Sequence, residues 1–232
     1  MKDNTIKKYV SLSLEFIVVI CSIIGVILSI LRNGDPYMGG PSTILYFTIQ
    51  SNIWIAFILC LIFVCKIIGE IKNKNYLKNW MYIVKYIFTV SISLTGVVYC
   101  GLLAPVLPKE YNAWNLPSVL THIIVPVCSI IDVIIDQFKF KINNKQTFLV
   151  LIPPLYYLVF AIIGYFAGFE YVNGENYPYF FLNFGCDAGL FGFIKDPIEI
   201  GCFYWMMLFL LVVLGLGFLY KFIINKVNKE IK

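Results

Sequence analysis

Charge is scarce in this chain. Only 13% of its 232 residues are Asp, Glu, Lys or Arg, against 60% apolar. An ordinary soluble domain devotes about a quarter of its residues to charge, so that class is excluded. Histidine is scarcer still: His122 is the single one. The seven cysteines show no metal-type cluster. No long polar stretch separates the apolar runs, which leaves no room for a soluble domain. A small-residue cleavage site is missing as well. The first apolar run follows Lys2, Lys7 and Lys8 and reaches Leu31 without one. An uncleaved first helix is therefore expected rather than a signal peptide.

What is abundant is long apolar sequence, with 17% aromatic residues and a mean hydropathy of +0.83. A membrane-crossing helix needs about 20 apolar residues. The expected fold is an all-α, polytopic bundle of six transmembrane helices forming one domain over 1–232. The helices are expected at about 9–31, 44–69, 81–104, 117–136, 146–168 and 198–224. Proline and glycine mark several of the links, as in Arg32–Thr43 and at Pro105 and Pro108. The longest link, Phe169–Pro197, is aromatic. Its Tyr177-Pro178-Tyr179-Phe180-Phe181 is expected at the membrane interface or folded over the bundle as a cap.

Charge is sorted along the chain too. Of 18 Lys and Arg, all but Arg32, Lys109 and Lys195 lie toward the N-terminus, the second and fourth links, or the C-terminus. Asp35, Glu110, Glu170, Glu175, Asp187, Asp196 and Glu199 lie in the odd links. Basic residues near helix ends stay in the cytoplasm, so both termini are expected inside. The net charge of +5 then meets anionic lipid head groups rather than nucleic acid. Cys100, Cys186 and Cys202 fall near the outer face, where a disulfide among them is open to form.

Ionisable residues are costly inside a bilayer and tend to face the bundle interior. Glu15, His122, Asp132 and Asp136 stand out, with Asp136 expected at the interfacial water and Glu15 and Asp132 in one inner layer. Thr48-Ile49-Gln50-Ser51-Asn52 opens the second helix. Thr48 and His122 each fall roughly 6–8 Å below the outer end of their helices, in one layer. Thr48, Ser51 and Asn52 share a face. Pro126 has no N–H for the carbonyl of His122, so a kink is expected there. Tyr99 and Thr95 reach the same layer from the third helix. A neutral imidazole beside a hydroxyl can serve as general base and then acid, and threonine becomes a nucleophile beside such a base. Interhelical hydrogen bonding is the plain structural alternative for the same residues.

Tyr46-Phe47-Thr48-Ile49-Gln50-Ser51-Asn52, His122-x-x-x-Pro126 with Asp132, Pro154-Leu155-Tyr156-Tyr157 and Tyr177-Pro178-Tyr179-Phe180-Phe181-Leu182 together resemble the bacterial six-helix "Pr-six-Pr" membrane family. The resemblance covers nearly the whole chain. That family is distantly similar to the androgen-induced-gene family of intramembrane hydrolases, which cleave fatty acid esters of hydroxy fatty acids with a threonine and a histidine and no metal. The resemblance implies a bacterial plasma-membrane protein and a lipid ester as substrate. It assigns Thr48 as nucleophile and His122 as base, with no cofactor. Ser51, Asn52 and Tyr99 are candidates to bind substrate or steady the oxyanion. The competing expectation is a non-catalytic carrier or a lipid-binding or scaffold protein. Cys100 as an acyl-carrying nucleophile is a third.

Overall fold

A computed structural model describes residues 2–32, 35, 37, 39–136, 140–195 and 198–227. Asp196 and Pro197, named above in the link after the fifth helix, lie outside the described residues. Six helices are long and apolar enough to cross a membrane. They are α1 (Lys2–Leu31), α2 (Phe47–Lys72), α3 (Asn79–Val106), α4 (Leu116–Ile135), α5 (Asn144–Ala167) and α6 (Cys202–Val227). The all-α six-helix bundle expected from the sequence is the fold found. We call the end that holds the start of α1 and the end of α6 basal, and the opposite end apical.

The first four helices close a ring. α1 packs on α2 and α4, and α3 packs on α2 and α4. Between the ring's two ends lies an apolar layer that includes Val18, Ile55, Ile58, Ile62, Ile92 and Val125. α5 and α6 pack outside the ring, chiefly on α3, through a second core containing Tyr86, Val90, Val150, Tyr157 and Val213. Large apolar side chains such as Phe57, Phe166 and Phe222 stay exposed, as they do where hydrocarbon rather than water is the solvent.

Three of the helices contain irregular turns, each beside proline. In α3 the turn Tyr99–Leu103 is π-helical, and the Ala104 N–H reaches back to the Tyr99 carbonyl just before Pro105. In α4 the turn Leu120–Ile124 is π-helical, and the Val125 N–H reaches the Leu120 carbonyl just before Pro126. In α5 a 3-10 turn over Leu149–Leu151 precedes Pro153 and Pro154. Proline cannot donate to the helix ladder and its ring crowds the preceding turn. The backbone answers by changing its hydrogen-bond span, so α4 accommodates Pro126 through a π turn at the place where a kink was expected.

Several boundaries differ from the sequence expectation, and α1 starts at Lys2 rather than Tyr9. A 3-10 turn over Pro41–Leu45 and an extended Tyr46 (φ −84°, ψ 143°) precede α2, which starts at Phe47 rather than Ile44. Thr48 is thereby in the first turn of its helix. At the other end of the chain, Ile198–Ile200 pairs antiparallel with Phe193–Lys195, and α6 begins only at Cys202. The cysteines are all free thiols, Cys100 and Cys60 exposed and Cys202 buried.

Candidate active site

The apical end of the ring holds the only histidine. Asn115 caps α4 by accepting from the Ser118 N–H at 3.1 Å, and Pro117 sits in the first turn, where its missing N–H costs nothing. Five residues on, in the π turn, His122 is buried. Its Nδ1 lies 2.9 Å from the Ser118 carbonyl and 3.1 Å from Thr121 Oγ1, whose own proton goes to the Pro117 carbonyl at 2.8 Å. A carbonyl only accepts, so Nδ1 carries the hydrogen. In the neutral ring Nε2 is then a bare acceptor. It lies 3.3 Å from Thr48 Oγ1. Thr48 is buried as well. The structure thus joins the two residues across α2 and α4, and orients the imidazole as a base toward the hydroxyl.

The remaining candidates hold this pair in place. Tyr99 stacks its ring on the imidazole, with centroids 3.7 Å apart and planes 16° from parallel, while its hydroxyl donates to the Ala113 carbonyl. Asn52 Nδ2 donates to the Thr48 carbonyl at 2.8 Å and to the Thr121 carbonyl at 3.2 Å. That second acceptor belongs to the turn whose ladder Pro126 interrupts. Ser51 Oγ lies 3.1 Å from the Thr48 carbonyl and 2.9 Å from Thr95 Oγ1. Ser51 and Asn52 therefore grip the backbone beneath Thr48. Gly96 of α3 faces the His122 carbonyl so closely that a Cβ would stand 2.9 Å from it. Only glycine fits there without displacing the π turn.

Tyr179 is the site residue that the sequence reading passed over. The aromatic link folds over the apical end, burying Phe181 and Leu182. The Thr48 N–H donates to the Tyr179 hydroxyl at 3.4 Å. That N–H is one of the unsatisfied donors of a helix start. Burial pushes the Tyr179 phenol up to about 12, against the lowering effect of its hydrogen bonds to Thr48. It therefore stays protonated and able to donate. Its motif was expected at the interface or as a cap, and nothing in it pointed to Thr48, which is distant in sequence.

Two cavities meet at Thr48. Both are partly open. One is apolar and lined by Leu94, Pro154, Tyr157, Met206 and Phe209. The other is more polar and includes Tyr99, Tyr111, His122, Glu175 and Tyr177. Thr48, Leu103 and Tyr179 line both.

The basal end of the ring holds a different assembly. Lys85 Nζ, fully buried, contacts Asp136 at 2.6 Å, Asp132 at 2.7 Å and Glu15 at 3.2 Å. Lys66 Nζ contacts Glu15 at 2.6 Å, Ser11 at 2.9 Å and Asp136 at 3.2 Å. Ser11 also donates to Asp132 at 2.6 Å. Glu15 and Asp132 do meet, as their shared depth implied. Asp136 does not face interfacial water. It turns inward because two ammonium groups await it. Both lysines escaped the sequence reading, which grouped them with the basic links. The signal was there: two acids in one inner layer, Glu15 and Asp132, require counter-charges. The carboxylate oxygens approach within 4.8 Å of one another, and the lysines already supply the positive charge between them.

Comparison of the chain with protein-family models, with characterised proteins and with solved structures finds no match.

Proposed function

We propose that this integral membrane protein hydrolyses lipid esters, with Thr48 as nucleophile and His122 as general base and then general acid. The observation that carries the reading is the Thr48–His122 contact at 3.3 Å, with Nδ1 held by the Ser118 carbonyl. It agrees with the family resemblance, which assigns the same two residues. The basic residues at the basal end put that end in the cytoplasm, by the positive-inside rule. The site then lies toward the outer leaflet of a bacterial plasma membrane, and membrane lipids are both surroundings and substrate source.

The two cavities divide such a substrate. Its acyl chain lies in the apolar cavity and its alcohol portion in the polar one, which brings the ester carbonyl to Thr48. Nε2 takes the Thr48 proton as Oγ1 attacks the carbonyl carbon. Negative charge develops on the carbonyl oxygen near the start of α2, whose dipole favours it. The Tyr179 hydroxyl is a donor there. The imidazolium then protonates the departing alcohol, leaving an acyl ester on Thr48. Water from the polar cavity, deprotonated by His122, cleaves that ester and releases the fatty acid. Tyr99, Ser51 and Asn52 position the pair. The route uses no metal or cofactor.

The test is ester turnover by the purified chain in nanodiscs, with branched and simple fatty acid esters, alongside labelling by a fluorophosphonate. Thr48→Ala and His122→Ala are each expected to abolish turnover, and Thr48→Ala to abolish labelling, with melting behaviour kept. A well-folded wild type that neither labels nor turns over any ester would instead favour the carrier or lipid-binding reading.

A further inference from the structure

The basal cluster has no part in the ester chemistry, and its charges do not balance. It joins three carboxyl groups, Glu15, Asp132 and Asp136, to two ammonium groups, Lys66 and Lys85. Glu15, Asp132 and Lys85 are fully buried, and the Lys66 and Asp136 side chains are 7% and 9% exposed. Water therefore cannot disperse the excess negative charge, and a buried uncompensated charge is strongly unfavourable. Tyr82 of α3 and Cys128 of α4 also face the acids, and both are neutral groups.

The contacts point to where the excess sits. Asp132 accepts from Ser11 on Oδ1, while its Oδ2 has no hydrogen bond but lies in an ion pair with Lys85 at 2.7 Å. Asp136 Oδ2 receives both lysines. Glu15 Oε1 also receives both, but Glu15 Oε2 is buried with no hydrogen-bond partner. A carboxylate oxygen without a donor is the natural place for a proton. The two ammonium groups occupy the approach on the Oε1 side, so a further metal cation would meet their repulsion, whereas a proton needs no space.

We propose that the cluster is a proton-binding site, holding one proton on Glu15. Binding converts the Glu15 carboxylate to a neutral acid and brings the cluster to two negative and two positive charges. Loss returns the third negative charge, and α1 then repels α4 across Glu15, Asp132 and Asp136. The site rests on the charge count and the orphaned oxygen, independently of the hydrolase reading.

Infrared spectroscopy of the purified chain in nanodiscs at neutral pH reads a buried carboxylic acid directly, through its C=O stretch. Wild type is expected to show one such band. Glu15→Gln should remove it. Asp132→Asn should remove it too, although Glu15 remains, because the count is then balanced without a proton. No band in wild type overturns the proposal, as does a band that survives either substitution. A band that appears only when sodium is withdrawn also overturns it, since sodium would then be the balancing ion. The wild-type spectrum decides even where a variant fails to fold.

Discussion

At the apical end of the α1–α4 ring, Thr48 and His122 meet through neutral groups on turns that proline has disturbed. At the basal end, three acids and two lysines meet, on regular helical turns except for Asp136, the extended residue that ends α4. The ring is the same, yet the two regions rest on different physics. The basal cluster is held by charge: each ion is stable only while its partners are present, so it ties α1, α2, α3 and α4 together. The apical site is held by backbone: a π turn, a glycine contact and donors spent on freed carbonyls set the angle of one imidazole. Charge confers strength where geometry can be loose, and irregular backbone confers angle where strength is lent by neighbours. Single-turn π bulges are frequent at functional sites for this reason.

The sharpest way to break that comparison is at the lysine. Lys85→Met keeps much of the side-chain volume but leaves Asp132 and Asp136 without their shortest ion pairs. Removing one partner of a buried ion pair costs about 3–5 kcal/mol. A large fall in thermal stability in detergent is expected, whereas His122→Ala should barely move it. A Lys85→Met protein that melts like wild type would mean that the cluster does not tie the ring together.

On the apical side the corresponding test is Tyr179→Phe, which removes one hydroxyl and keeps the ring. Loss of an oxyanion donor costs about 10²–10³ in turnover. The effect should fall on kcat with KM little changed, and melting should stay near wild type. An equal rise in KM would assign the hydroxyl to substrate binding instead.

How much was visible in advance follows the same division. The length of the apolar runs located all six helices, because a bilayer forces each span to satisfy its own backbone. Depth arithmetic placed Thr48 with His122 and Glu15 with Asp132, because rise per residue is fixed. It did not find Lys66 or Lys85. Near a helix end, a basic residue that turns inward looks the same in sequence as one that marks the cytoplasm. Nor did it find Tyr179, which meets Thr48 across a long link. The start of α2 was missed by three residues, since a 3-10 turn at Pro41–Leu45 carries the same apolar pattern as a helix. That shift matters chemically, because it moves Thr48 into the first turn, where its N–H has no helical acceptor and donates to Tyr179 instead.

The finest test of the comparison lies at Pro126, which contacts no ester and carries no charge. Pro126→Ala restores an N–H to α4, and the π turn over Leu120–Ile124 loses the reason for its register. If the turn relaxes to α-helix, a one-residue change of register rotates His122 by about 100° relative to the helix beyond it. Nε2 then leaves Thr48, Asn52 loses the Thr121 carbonyl as acceptor, and the imidazole slides off Tyr99. Misplacing a catalytic group by about 1 Å already costs about 10²-fold, so turnover should fall by at least that order. Stability should hold or rise, because a helix interior prefers alanine to proline by about 3 kcal/mol. Activity and melting would thus move in opposite directions, something that no basal substitution is expected to produce. If Pro126→Ala retains full turnover, the π turn does not set the imidazole, and the stacking on Tyr99 and the Nδ1 bond to Ser118 are enough by themselves.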